Sequence, residues 1–181
     1  MEQMVRQSAV IRKSLTEAIN KNGATKKEIA GEIKVSQQSL SDWTTPLNTK
    51  PVTLENAQAL TDYFRDTDFT LQVIHEFFGL FKSIDGDVYR RDPSSLDKLQ
   101  MIESDERKQK KQEVEKILLK QVNYLTVDDR QQIIAYAYEF LDEIMVEVTL
   151  ISALCEILGI DIRKLSEQRL SYWVAQGYMK G

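Results

Sequence analysis

The sequence predicts an all-α protein, and three observations carry that expectation. Proline is scarce, with three residues, and glycine is modest, with seven, in a chain of 181; β-sandwiches and barrels need many more turn residues. Apolar residues recur at spacings of three and four along most of the chain, which is the helical period. Side chains suited to capping stand in front of several of these runs. With 42% apolar and 29% charged residues the composition is that of an ordinary globular protein, long enough for one compact domain or two small ones.

Taken in order, the first expected helix spans residues 5–20, with Val5, Ala9, Ile11, Leu15, Ala18 and Ile19 on one stripe and Asn22-Gly23 as its stop. Thr25-Lys26-Lys27-Glu28 is a capping box: the threonine hydroxyl accepts from a free backbone N–H and the glutamate reaches back to the cap. The helix it opens carries Ile29, Ala30 and Ile33. Ser36 is a second N-cap, opening a short helix over 37–43 with Leu40 and Trp43 inward. A turn-rich loop follows at 44–51. A fourth helix is expected at about 52–65 through Leu54, Ala57, Leu60 and Phe64, and a fifth at about 69–81 through Leu71, Ile74, Phe77, Phe78 and Phe81. These five helices make an N-terminal domain over residues 1–82. Residues 83–93, punctuated by Gly86 and Pro93, form a linker, and 94–181 a second helical region. There, 94–122 is one long helix or two, with a polar middle. Thr126 to Asp129 resembles another capping box. The stretch from Ile133 to Leu158 is apolar on more than one face until Gly159 ends it. A last helix precedes Gly177.

Counting excludes several functions. The single cysteine, Cys155, cannot close an internal disulfide, which fits a reducing compartment. One cysteine and one histidine, His75, cannot make a structural zinc site; Cys155 is expected to be an inert small hydrophobe and His75 a packing or surface residue, and no metal or cofactor is expected. Asp128-Asp129 is read as favourable charge at a helix N-terminus. No apolar run of about eighteen residues is present, so no membrane span is expected, and the first ten residues lack the apolar core of a signal peptide. A P-loop, a dinucleotide glycine pattern and a G-x-S-x-G elbow are all absent from the sequence, so no catalytic residue is assigned and an enzyme is not expected. The chain carries a net charge of −4, but unevenly. Residues 1–50 hold eight bases against five acids, a net +3, whereas residues 84–181 hold fourteen against eighteen, a net −4. That asymmetry suits a front facing a polyanion and a back facing protein.

The two short helices around Lys34-Val35-Ser36 form the constellation that points to function. Ala30 is small where the helices cross closely, and Val35, Leu40 and Trp43 anchor the second helix to the core. Its opposite face and N-terminal end are left free, the presentation that lets a helix enter the major groove of DNA. Gln37, Gln38, Ser39 and Ser41 lie there. Glutamine can pair with adenine through N6 and N7, so Gln37 and Gln38 are the leading candidate base readers. Thr25, Lys26, Lys34 and Ser36, with Asn48 and Lys50 in the next loop, are placed to hold backbone phosphates at the helix N-termini. Asp42, on the same helix, would repel phosphate unless it points away.

The run KKEIAGEIKVSQQSLSDW, followed by Pro51, Leu54, Ala57 and Leu60, resembles the Cro/repressor-type helix-turn-helix domains of phages and bacterial regulators, over about residues 5–81. The resemblance implies that the third helix reads DNA and that a dimer binds a palindromic operator. Where the family commonly has a glycine this chain has Lys34, in a turn that often visits the left-handed region; a non-glycine residue there costs on the order of 1 kcal/mol. The expected function is therefore sequence-specific transcriptional regulation by a cytoplasmic, nucleoid-associated protein, a phage or mobile-element repressor by default. The partners are double-stranded operator DNA, a second copy through residues 123–181, and an antirepressor protein as one means of release. The alternative is a helical protein-interaction module, antitoxin-like or a phage accessory protein, without base readout of its own. A self-cleaving β-rich peptidase is not expected, because the second half is helical.

Overall fold

The computed structural model describes residues 6–180 and is all-α; among those residues eight α-helices accompany one two-stranded ribbon. Contacts group the chain up to Lys82 together with the segment from Cys155 onward, and Ser83–Leu154 as a second unit.

Among the described residues the first element of this unit is a short strand, not a helix. Ala9 and Ile11 are buried while Val10 between them is half exposed, a period of two that belongs to a strand. This strand, β1 (Ser8–Ala9), pairs antiparallel with β2 (Val52–Thr53), placing Ala9 opposite Val52. The first helix, α1, accordingly spans Arg12–Asn22, and Val5 lies outside the described residues. α2 (Lys26–Glu32) and α3 (Gln37–Thr44) follow, then α4 (Leu54–Phe64) and α5 (Thr67–Phe78). The fourth helix starts two residues later than expected because Val52 and Thr53 are spent on the ribbon, and the Thr53 hydroxyl then caps it by accepting from Asn56 N–H. The fifth starts earlier, where Asp66 accepts from Phe69 N–H at 2.8 Å, and stops at Gly79 in the left-handed region. Leu15, Ile29, Leu40, Val52, Leu60 and Phe77 are fully sealed in one core. Each such side chain contributes about 1.5–3 kcal/mol by leaving water, which lets helices this short persist.

The expectation grouped all of 94–181 together. Instead α8 (Ile162–Ala175) belongs to the first unit, and polar contacts account for it. Ile162 N–H donates to Thr67 Oγ1 at 3.1 Å, Arg163 donates to Thr61 O at 2.7 Å, and its guanidinium also pairs with Asp62. Lys21 bridges Asp66 at 2.8 Å and Glu156 at 3.0 Å.

In the second unit, residues 83–92 precede α6 (Pro93–Leu118), a single helix with Asp92 as N-cap and Pro93 in the first turn, where a proline's missing N–H costs nothing. A 3₁₀ turn, Val122–Tyr124, leads to α7 (Val127–Leu158), whose last turn lies in the first unit. The expected capping box at its start is formed: Asp129 N–H donates to Thr126 Oγ1 and Thr126 N–H to the Asp129 carboxylate. Lys120 adds contacts to both carboxylate oxygens at 2.8 and 2.9 Å. Lys120 first, then Thr126, hold the Asp129 carboxyl down from 3.8 to about 2. A carboxylate lowered in the folded state stabilises above its ordinary value and loses that contribution as pH falls through the folded value. Urea melts should therefore show the wild type losing stability as pH drops from 3.8 toward 2, and Asp129→Asn should flatten that limb of the curve.

Candidate nucleic-acid interface

The interface is built from α2, the turn after it, and α3. Both predicted N-caps are in place. Thr25 Oγ1 accepts from Glu28 N–H at 3.2 Å while Glu28 Oε2 accepts from Thr25 N–H at 2.8 Å. The Thr25 N–H, and then the Thr25 hydroxyl, which donates to Glu28 Oε2 at 2.8 Å, hold the Glu28 carboxyl below its ordinary value, so its negative charge is spent on the cap. Ser36 Oγ accepts from Ser39 N–H at 2.9 Å and lies 2.8 Å from Ser39 Oγ. The Ser39 hydroxyl is thus folded back on the cap, and of the four candidate readers it is the one turned toward its own helix end.

Between the helices the chain turns through Lys34, whose φ of 58° lies in the left-handed region, as the departure from the glycine pattern implied. Val35 N–H closes the turn on Ala30 O at 2.9 Å. Ala30 is buried at the crossing, and Val35 packs against the core. Because Lys34 is strained and exposed, Lys34→Gly should raise stability by about 0.5–1 kcal/mol, relief of the left-handed penalty net of the extra freedom glycine has when unfolded. The urea midpoint checks it; an unchanged or lower midpoint would mean the lysine side chain contributes a compensating contact.

α3 is anchored by Leu40, fully buried, and by Trp43. Gln37, Gln38 and Ser41 lie outside this anchor; the two glutamines are solvent-exposed and Ser41 is partly so. Both glutamines sit in the first turn, where the helix also directs unpaired N–H groups outward.

The phosphate candidates divide. Thr25 and Ser36 are engaged as caps. Lys34 is exposed at the turn, and Asn48, also left-handed with φ 57°, is exposed at the tip of the loop beside Leu47. Lys26 is half-buried and donates to Thr44 Oγ1 at 2.6 Å, tying α2 to the end of α3. Lys50 returns to α3: its ammonium lies 2.6 Å from Asp42 Oδ2 and its N–H donates to Asp42 O at 3.0 Å. Asp42 Oδ1 in turn accepts from Gln38 Nε2 at 2.7 Å. Lys50, then Gln38, hold the Asp42 carboxyl below its ordinary value. The carboxylate expected to repel phosphate is therefore neutralised within the interface. Sequence reading named Gln38, Lys50 and Asp42 separately but not as a linked set; an i, i+4 Gln–Asp pair on a helix was the available signal.

Among the described residues no group of three or more histidine, cysteine or acidic side chains is placed to hold a metal ion, and no helix is long and apolar enough to cross a membrane. Neither a protein-family model, nor a curated protein, nor a solved structure matches the chain.

Proposed function

We propose that the protein is a sequence-specific double-stranded DNA-binding regulator, a binding protein rather than an enzyme, in which α3 lies in the major groove. The observation that carries this reading is the two-sidedness of α3: Leu40 and Trp43 are buried in the core while Gln37 and Gln38 face solvent at its N-terminal end. That leaves hydrogen-bonding side chains where base edges would be met. Of the phosphate candidates, Lys34 and Asn48 are exposed to meet the backbone. Thr25 and Ser36 act as the caps of α2 and α3, and Lys26 and Lys50 are engaged with Thr44 and Asp42; Ser39 and Ser41 lie beside the readers. The reading extends to a cytoplasmic, nucleoid-associated repressor of the phage or mobile-element kind, acting by occupying a palindromic operator as a dimer and released by an antirepressor protein.

The dimer is assigned to the second unit. Its buried apolar residues among those described are only Leu96, Val114, Ile117 and Val146. Ile134, Tyr138 and Leu141, at spacings of four and three on α7, are 48%, 59% and 48% exposed. α6 and α7 pair through Gln100 with Glu143 and Glu147 and through Arg107 with Glu143. Among the described residues the second unit has no third α-helix to cover such a stripe, and a second hairpin completes a four-helix bundle.

Selection of bound sequences from random duplex DNA tests the reading. The expected result is a palindrome whose half-sites are about one helical turn apart, with the preferred bases lost in Gln37→Ala/Gln38→Ala and affinity falling steeply with salt as phosphate contacts release counterions. Binding without enrichment would mean a nonspecific or architectural role. Absence of duplex binding at low salt would sink the proposal in favour of a helical protein-interaction module.

A further inference from the structure

Gln38, Asp42 and Lys50 form a chain of contacts whose chemistry fixes one choice. An ionised carboxylate only accepts hydrogen bonds, so the Gln38 atom 2.7 Å from Asp42 Oδ1 is the amide nitrogen and not the amide oxygen. Lys50 occupies the other carboxylate oxygen at 2.6 Å, and its backbone N–H is bonded to Asp42 O. Asp42 is thereby held in place from a separate loop, and it in turn spends one of the two Gln38 N–H groups. What Gln38 has left for a partner is a single N–H and the carbonyl oxygen.

We propose that Asp42, steadied by Lys50, is a positioning residue that makes Gln38 select adenine over guanine. This rests on the DNA-reading function proposed above. Adenine presents an acceptor at N7 and a donor at N6, and matches one N–H and one C=O. Guanine presents two acceptors, O6 and N7. A glutamine with both N–H groups free can donate to each of them. With one N–H held by Asp42 it cannot, and its carbonyl oxygen is left facing guanine O6, acceptor against acceptor. Asp42 touches no base; it acts by removing the orientation of the amide that guanine needs.

The test is selection from random duplexes with the full chain as wild type, Gln38→Ala, Asp42→Ala and Asp42→Asn. Gln38→Ala locates the base position that Gln38 reads. At that position the wild type should favour adenine over guanine about tenfold. In Asp42→Ala the ratio should fall to about one while the other positions of the motif keep their preferences. Asp42→Asn retains an oxygen acceptor for Gln38 without the charge, and should keep the adenine preference. Asp42 is only partly buried, so these variants keep the fold, which thermal melts verify. An undiminished adenine preference in Asp42→Ala, or an equal loss in Asp42→Asn, overturns the positioning role while leaving the DNA-reading function intact. A uniform loss at all positions does the same, since it marks a general charge effect. A wild type that enriches no motif, or a Gln38→Ala variant that alters none, overturns the reading function and this proposal with it.

Discussion

Replacing Ile134 and Leu141 together by glutamate will leave the chain folded and convert it from a dimer to a monomer in light scattering, lowering affinity for the full operator about a hundredfold or more. The expected size follows from how two linked half-site readers bind. Once one is seated, the second sees a high local concentration of its site, and that advantage disappears with the link. The fold should survive because both positions are about half exposed, so charge there meets water in the separated chain. In an interface the same charges would be buried without partners, at a cost of several kcal/mol. The affinity of an isolated half-site should change little. A wild-type chain that is already monomeric, or a variant of unchanged mass, would remove the α7 stripe as the dimer surface. Deleting residues 123–181 is a poorer test. The contacts of Ile162 and Arg163 with Thr67, Thr61 and Asp62 show that such a truncation also strips the first unit of a helix it packs with, so loss of a dimer after deletion would have two causes.

What was legible in the sequence was what is local. The Thr25–Glu28 capping box, the Ser36 cap, the three-residue turn with its left-handed Lys34, and the Thr126–Asp129 box all depend on residues within four positions of one another, and each is in the structure as expected. The inward face of α3 followed from spacing alone. Features that depend on distant partners were not legible. Ala9 and Ile11 fit a helical stripe as well as a strand over so short a stretch; the choice is made by Val52, more than forty residues on, which pairs with Ala9. The docking of α8 depends on Arg163 meeting Thr61 and Asp62, about a hundred residues away. Within the candidate interface, Lys50 looked like a free cation in a loop, and only the return of that loop to α3 shows it spent on Asp42. The apolar run of α7 was read as a helix with hydrophobic residues on more than one face, to be covered in part by a second chain, but which residues a single chain leaves uncovered was not legible. They are Ile134, Tyr138, Leu141 and Ile157, all open to solvent.

Leu40→Ala should lower the temperature at which duplex binding is lost, a route different from that of Gln37→Ala/Gln38→Ala, and the contrast separates scaffold from reader. Leu40 is fully buried in the core shared by α1, α2 and α3. Truncating such a leucine removes its transfer energy and leaves a cavity, about 2–5 kcal/mol together, against a total stability of about 5–15 kcal/mol for a domain. For a unit of this size that corresponds to a melting temperature lower by about 10–20 °C. Well below the new transition the folded molecules should still prefer the same bases, because the cavity lies in the core while both glutamines are exposed at the N-terminal end of α3. The double glutamine variant should do the reverse. Both side chains are exposed, so the melting temperature should move by no more than about 2 °C, yet base preference should vanish while salt-dependent attraction to phosphate persists. Melts by circular dichroism beside base-by-base selection give both quantities for both variants. If the glutamine variant also melted far below the wild type, its loss of binding would be a folding defect. The face of α3 that meets solvent would then have no independent part in recognition.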